Sequence, residues 1–278
     1  MKESFKRRIG VDLARRIKLE DGIVWAGEND VHYLDIQIDR PPNALETFDE
    51  ERCERVKALC REHDVQLGLH TLSAMNVAEI SPFLREAADL YLRCYIDAAV
   101  QLNAGWVEVH AGYHFTADYE ERKLAGLERL RRTCAYAEER GVTLYLENMN
   151  REPQHAEVNY LGHTLDETIF YFNKLDSERL KWAFTVNHAH LVPEGIDGFI
   201  NVMGCERLGV VRLADNLGDR EHHMYPGTGN IDFANLFGRL ESMGFDGHYM
   251  SGYGTLEDMV TGREILVEEA AKGGVPVG

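Results

Sequence analysis

The sequence predicts one α/β domain over residues 1–278, a single closed (β/α)8 barrel. Three observations carry this. Short β-rich runs alternate with longer amphipathic segments from end to end, there are eight such pairs, and no Pro/Gly/Ser-rich linker separates them. Strands that alternate with helices imply parallel βαβ units. Eight units use up the whole length as one closed sheet, although a length prior of about 150 residues per domain would suggest two domains.

Strands are expected, in order, at Arg8–Leu13, Val31–Ile38, Val65–Thr71, Trp106–Ala111, Val142–Met149, Lys181–Asn187, Gly209–Asp215 and Gly247–Gly252. Between the third and fourth, Ser81-Pro82 opens a helix with Leu84, Ala87, Ala88, Tyr91, Tyr95 and Ala98 at spacings of three or four. Asp118 opens the next, which sets Leu124, Leu127, Leu130, Cys134 and Ala137 on one face and Glu/Arg opposite. Ile231-Asp232-Phe233 opens another that ends near Gly244. An open dinucleotide-binding sheet would need a glycine-rich turn after the first strand, but Ala14-Arg15-Arg16 follows it, so no nucleotide cofactor is expected. Gly227-Thr228-Gly229 comes late and reads as a tight turn.

Composition narrows the function. Lys and Arg total 30 against 47 Asp and Glu, a net charge of −17. Such a surplus argues against nucleic acid, whose phosphates are bound through Lys/Arg, and against anionic membrane surfaces. The basic N-terminus runs into Ile9-Gly10-Val11-Asp12 and not into an apolar core, and no run is long enough to span a bilayer. The five cysteines, Cys53, Cys60, Cys94, Cys134 and Cys205, contain no CxxC pair, which fits a reducing compartment. The expectation is a cytoplasmic enzyme acting on a small molecule, of a size and acidity compatible with a homodimer.

Chemistry in such a barrel collects at the C-terminal ends of the strands. His70, His110, His188, His190, His222 and His223 all fall in that layer, together with Glu147 and Asp215. One histidine at a strand end is more often a hydrogen-bonded structural residue than a ligand. Six converging with carboxylates are costly to bury unless a cation or a substrate compensates them. Imidazole with carboxylate suits Zn or Mn, and the lack of cysteine argues against structural zinc.

The same residues resemble the xylose isomerase-like TIM-barrel superfamily over nearly the whole chain. That group includes sugar-phosphate isomerases and epimerases, hydroxypyruvate isomerase, inosose and dehydroshikimate dehydratases, and endonuclease-IV-type nucleases. The resemblance rests on Leu69-His70-Thr71, Val109-His110-Ala-Gly, Leu146-Glu147-Asn148, Val186-Asn187-His188-Ala-His190-Leu, Asp215-Asn216 and Glu221-x-His223-x-x-Pro-Gly-Thr-Gly-Asn-Ile-Asp. It implies one divalent ion held by a Glu, an Asp, a His and a final Glu from strands five to eight. Glu147 fills the first place, but Thr185, Arg212 and Gly252 stand at the others. Two other sets match metal sites of the nuclease-like members: His70, His110 and Glu147, and alternatively His188, Glu221 and His223, with Glu for the usual Asp.

By this resemblance the protein is expected to be an isomerase, epimerase or dehydratase of a small sugar or polyol-type carbonyl compound. Glu147, His188, Arg212 and His223 are the expected catalytic residues; His70, His110, Tyr113, Asn187, Asp215 and Asn216 are expected to bind substrate. Asp215 would orient His223, and Trp106, Tyr113, Tyr225 and Tyr253 are candidate wall residues, packing being favoured for Trp106. A divalent metal (Zn or Mn) and a metal-free site with Arg212 as its cation stand as equal alternatives. A metal-dependent hydrolase or lyase with a zinc-bound water, and a binding barrel without catalysis, are the alternative functions; the charge weighs most against the nuclease branch. Loops 148–160 and 217–225 are expected to set specificity.

Overall fold

The computed structural model describes residues 4–151 and 157–278, so part of the 148–160 loop lies outside the described residues. Eight parallel strands form the barrel: β1 (Ile9–Ala14), β2 (Tyr33–Ile36), β3 (Gln66–His70), β4 (Trp106–Val109), β5 (Thr143–Glu147), β6 (Leu180–Thr185), β7 (Leu208–Leu213) and β8 (His248–Ser251). Each pairs with its sequence neighbours, and β8 closes onto β1 through Ile9↔Tyr249, Gly10↔Met250 and Val11↔Ser251. All eight fall inside the runs expected from the sequence except for Ala14, one residue beyond the first run, and Leu180 and Leu208, one residue before the sixth and seventh. A two-stranded antiparallel ribbon, Tyr113–Phe115 with Val158–Tyr160, sits above β4 and β5. No described helix is long and apolar enough to cross a membrane, and all five cysteines are free thiols.

The helices follow from local signals. Helix Pro82–Leu102 has proline in its first turn, which needs no amide donor there, and stops at Asn103 with φ 53°. Helix Tyr119–Arg140 stops at Gly141 with φ 73°. Helix Phe233–Ser242 is capped by the Asp232 carboxylate, which accepts from the Asn235 N–H. The expected inner faces need one correction: Leu84, Ala87 and Leu124 are exposed. Residues 82–87 are all exposed, so packing of that helix begins at Ala88 and continues through Leu92, Tyr95, Ile96 and Ala99.

Inside the barrel the inward side chains stack in layers. The lower layer holds Trp106, Tyr145, Ala183, Val210 and Met250, with Tyr33 against them. Trp106 stacks on Tyr145 at 5.8 Å, and its Nε1 donates to Asp35 Oδ1 at 2.8 Å. Trp106 is therefore barrel packing and not pocket wall. Gly68 makes room for it: a Cβ at that position would sit 2.0 Å from Trp106 Cε2 and 2.5 Å from Asp35 Oδ1. Gly68→Ala is expected to destabilise the fold by about 1–3 kcal/mol. The check is a lower urea midpoint at unchanged slope; an unmoved midpoint would mean that Trp106 shifts freely.

Candidate active site

Above that layer the polar residues open into a cavity of about 400 Å3 at the C-terminal ends of the strands. Glu147, the last residue of β5, is 6% exposed and points into it. Thr185 Oγ1 at the end of β6 donates to Glu147 Oε1 at 2.5 Å, His110 Nε2 lies 3.0 Å from Oε2, and His188 Nδ1 lies 3.4 Å from Oε1. Burial pushes this carboxyl up, but the bond to His110 and the charges of His188, His110 and Arg212 outweigh it and hold it well below the ordinary range. It is a fixed carboxylate.

Asn148 locks the neighbouring strand end, accepting from the Thr185 N–H at 3.0 Å and from Trp182 Nε1 at 3.2 Å. Its carbonyl meets His188 Nδ1 at 2.9 Å, which fixes the ring. His188 rides on a single helical turn, Val186–Ala189, that follows β6 directly. Its Nε2 lies 3.1 Å from Glu221 Oε1, the atom that His223 Nε2 approaches at 2.7 Å and Asn187 Nδ2 at 3.1 Å. Burial disfavours the charged imidazole, yet Glu221 and Glu147 push His188 up to about 9. Glu221, raised by burial but pulled down by His188 and His223, falls to about 2.

Below Glu147 lies a charged cage that sequence reasoning missed. Arg212 Nη1 donates to Asp35 Oδ2 at 2.6 Å and to Glu108 Oε2 at 2.7 Å, and Nη2 donates to Asp12 Oδ2 at 2.5 Å. Arg212 therefore faces three carboxyl groups, enough to balance its charge. One guanidinium cannot keep three adjacent carboxylates ionised, so protons are retained. Burial is the main cause that raises Glu108 to about 8, and it raises Asp35, while the bonds to His70 and Arg212 pull Asp12 down. His70, disfavoured as a cation by burial but facing Glu108 and Asp12, is pushed up to about 9; burial lowers His110. Position parity could have revealed the cage: Glu108 shares the inward side of β4 with Trp106 and His110, and Asp35 that of β2 with Tyr33.

Of the expected residues, His70, His110, Glu147, Asn187, His188, Arg212, Glu221 and His223 line the cavity. Others do not. Tyr113 packs edge-on against Tyr160 in the antiparallel ribbon, at 6.3 Å; it is Tyr160 that reaches the cavity. Asp215 is fully buried and does not orient His223. Its two oxygens accept from the N–H groups of Asn216, Gly227, Gly229 and Ile231, so it is the organiser of the Gly-Thr-Gly turn. His223 Nδ1 instead meets the Gly252 carbonyl at 2.6 Å. Asn216 is also fully buried, donating to the Asn187 carbonyl and accepting from the Gly218 N–H. Tyr225 and Tyr253 pack on each other at 5.7 Å away from the cavity lining, and His190 bonds Asn230 at 2.7 Å.

This geometry agrees with a comparison at the level of the family. Residues 24–270 match the family model described as xylose isomerase-like TIM barrel. The chain belongs to that family. It is 27% identical over 215 residues to an uncharacterised protein of Methanocaldococcus jannaschii, covering 74% of this chain and 70% of that one. It is 24% identical over 199 residues to L-ribulose 3-epimerase of Methylomonas sp., covering 69% of this chain and 65% of that protein. Among solved structures, a D-tagatose 3-epimerase-like protein superposes with a TM-score of 0.81 at 23% identity, covering 96% of this chain and 98% of the other.

The four-ligand metal site implied by the resemblance does not fit this chain. Arg212 offers only donors where a ligand is needed, Gly252 has no side chain, and Thr185 is committed to Glu147. Two other groups do have the donor chemistry for a cation, each with ligand atoms within 4.8 Å of one another: His70, Glu108, His110 and Glu147, and His188, Glu221 and His223. Each contains a buried carboxylate oxygen without a hydrogen-bond partner, Glu108 Oε1 and Glu221 Oε2.

Proposed function

We propose that this protein epimerises or isomerises a small ketose or related polyol-type carbonyl compound, with Glu147 as the group that moves the proton. The carrying observation is Glu147 itself, a buried carboxylate held ionised at the cavity floor beside a protonated imidazole. Its relatives among sugar 3-epimerases support the same reaction class. Glu147 takes the proton from the carbon next to the carbonyl, and the electron pair of that C–H bond delocalises onto the carbonyl oxygen as an enediolate. His188, charged at neutral pH with its ring held by Asn148 and Glu221, stabilises the developing negative charge through its positive field. Protonation of the same carbon from the opposite face by cavity water gives the epimer, with Glu147 releasing its proton to solvent. Return of the proton from Glu147 to the neighbouring carbon, with the hydroxyl proton passing between the two oxygens, gives the isomer. Arg212, neutralised by its three carboxylates, holds the floor of the cavity in shape.

A divalent ion, Zn or Mn, held by His188, Glu221 and His223, or by His70, His110, Glu147 and Glu108, would polarise the carbonyl as a Lewis acid. The first group predicts a pH-dependent affinity, because the His188 proton, held up to about 9, must leave before that nitrogen can ligate. Zn2+ affinity is expected to rise by about tenfold per pH unit from about pH 6 to pH 8, measured by competition with a chromophoric chelator. A flat profile would remove His188 from the ligand set.

The functional test is proton exchange in deuterated water over a panel of pentuloses and hexuloses, followed by NMR. Deuterium should enter one ketose at a carbon next to its carbonyl, with the epimer or isomer appearing. The absence of wash-in across the panel, together with chelator-sensitive hydrolysis, would favour the metal-dependent hydrolase reading that the two His/Glu groups also permit.

A further inference from the structure

The loops that leave β1, β2 and β3 carry hydrogen-bond donors that the chemistry above does not use. Arg16, Gln37 and Ser73 line the same cavity as Glu147. Arg15 and Arg40 stand with Gln37 around an adjoining recess. The backbone is shaped to put them there. Between Asp12 and Ala14 the pairing of β1 with β2 slips by one residue, and Ala14 takes φ 48°, a left-handed conformation that a residue with a Cβ holds only under constraint. The constraint is visible: the Asp12 carboxylate accepts from the Ala14 N–H at 2.7 Å, and the Ala14 carbonyl accepts from the Gln37 N–H at 2.9 Å.

Three arginines stand close together at this rim, Arg16 in the cavity lining and Arg15 and Arg40 around the adjoining recess. In a chain of net charge −17, Arg8, Arg52, Arg122, Arg132 and Arg239 each meet a carboxylate. Arg15, Arg16 and Arg40 meet none among the described residues. Arg16 makes one side-chain hydrogen bond, to the Asp12 backbone carbonyl at 2.9 Å. The two nearby acids are engaged elsewhere, Asp39 by the hydroxyls of Tyr91 and Tyr95 at 2.8 and 2.5 Å and Asp12 by Arg212. The cavity therefore has two ends: Glu147, His188, Glu221 and His223 from the β5–β7 side, and Arg16, Gln37 and Ser73, beside Asp12 and His70, from the β1–β3 side.

The geometry points to an anion subsite at the second end: the substrate carries a phosphate or carboxylate remote from its reacting carbon, bound by Arg16 with Gln37 and Ser73 as neutral donors. Arg15 and Arg40 add to the field that draws the anion in. A guanidinium matches the two oxygens of either group. This inference rests on the ketose reading and names the substrate class within it.

Calorimetric titration with D-ribulose, D-ribulose 5-phosphate and the sugar acid 2-keto-D-gluconate tests it by affinity, a readout separate from activity. At least one anionic compound should bind about tenfold or more tightly than D-ribulose, and which one does so distinguishes phosphate from carboxylate. The preference should shrink as salt rises, and in Arg16→Ala the ratio of the two dissociation constants should fall toward one. Equal binding of neutral and anionic compounds, or a ratio untouched in Arg16→Ala, would overturn the subsite. Failure of the ketose reading has a separate signature, the absence of deuterium wash-in with any ketose.

Discussion

Glu147→Gln is expected to lower kcat for proton exchange by about 10²–10⁴-fold, the contribution of a positioned general base, while the fold survives. The amide is nearly isosteric. Its oxygen still accepts from Thr185 Oγ1, and its NH2 can donate to His110, which burial keeps toward the neutral form. What is lost is the negative charge, and with it the ability to take a proton and part of the field that holds the proton on His188. Two readouts separate the chemical role from a structural one. Deuterium wash-in should vanish while the urea midpoint moves little, and the imidazole signal of His188 in NMR should titrate at lower pH than in the native protein. Undiminished exchange would refute the assignment of Glu147.

The fold and part of the site were legible in the sequence, for different reasons. The barrel declared itself because each of its strands is a short β-rich run bracketed by a helical period, and closure requires nothing beyond eight such units. The histidine layer was legible because it sits at strand ends, where the fold places chemistry; His70, His110, Glu147, His188 and His223 do converge. Asp215 shows where the same rule fails. It also ends a strand, yet its carboxylate turns to four backbone N–H groups of the loop that follows and has no part in the cavity. Only the path of that loop decides between the two outcomes. Arg212 failed differently. Its position was readable, but its partners Glu108, Asp35 and Asp12 are 104, 177 and 200 residues away in the chain, and together they change its role from a free cation to one whose charge is balanced within the barrel.

Arg212→Met should expose that role as a loss of stability. Methionine fills much of the volume but leaves Asp12, Asp35 and Glu108 facing one another in a buried layer. Removal of one partner from a buried ionic group typically costs about 3–5 kcal/mol. Unfolding in urea near neutral pH should show a loss of that order. The sign of its pH dependence follows from the proton count. Without the guanidinium the three carboxyls hold their protons to higher pH in the folded protein than in the unfolded chain, so the folded state binds more protons. Stability then falls as pH rises from the unfolded carboxyl range, near about 4, through the raised folded values. Glu108 already has this sign in the native protein, where it sits at about 8. The deficit of Arg212→Met should therefore be small near about pH 5 and largest above about pH 8. Adding Glu108→Gln removes one of the stranded carboxylates and should recover part of the loss, a coupling that a double-mutant cycle reads directly. A variant as stable as the native protein at every pH would mean that the cage is not what holds the cavity floor, and Arg212 would return to the set of groups available to the substrate.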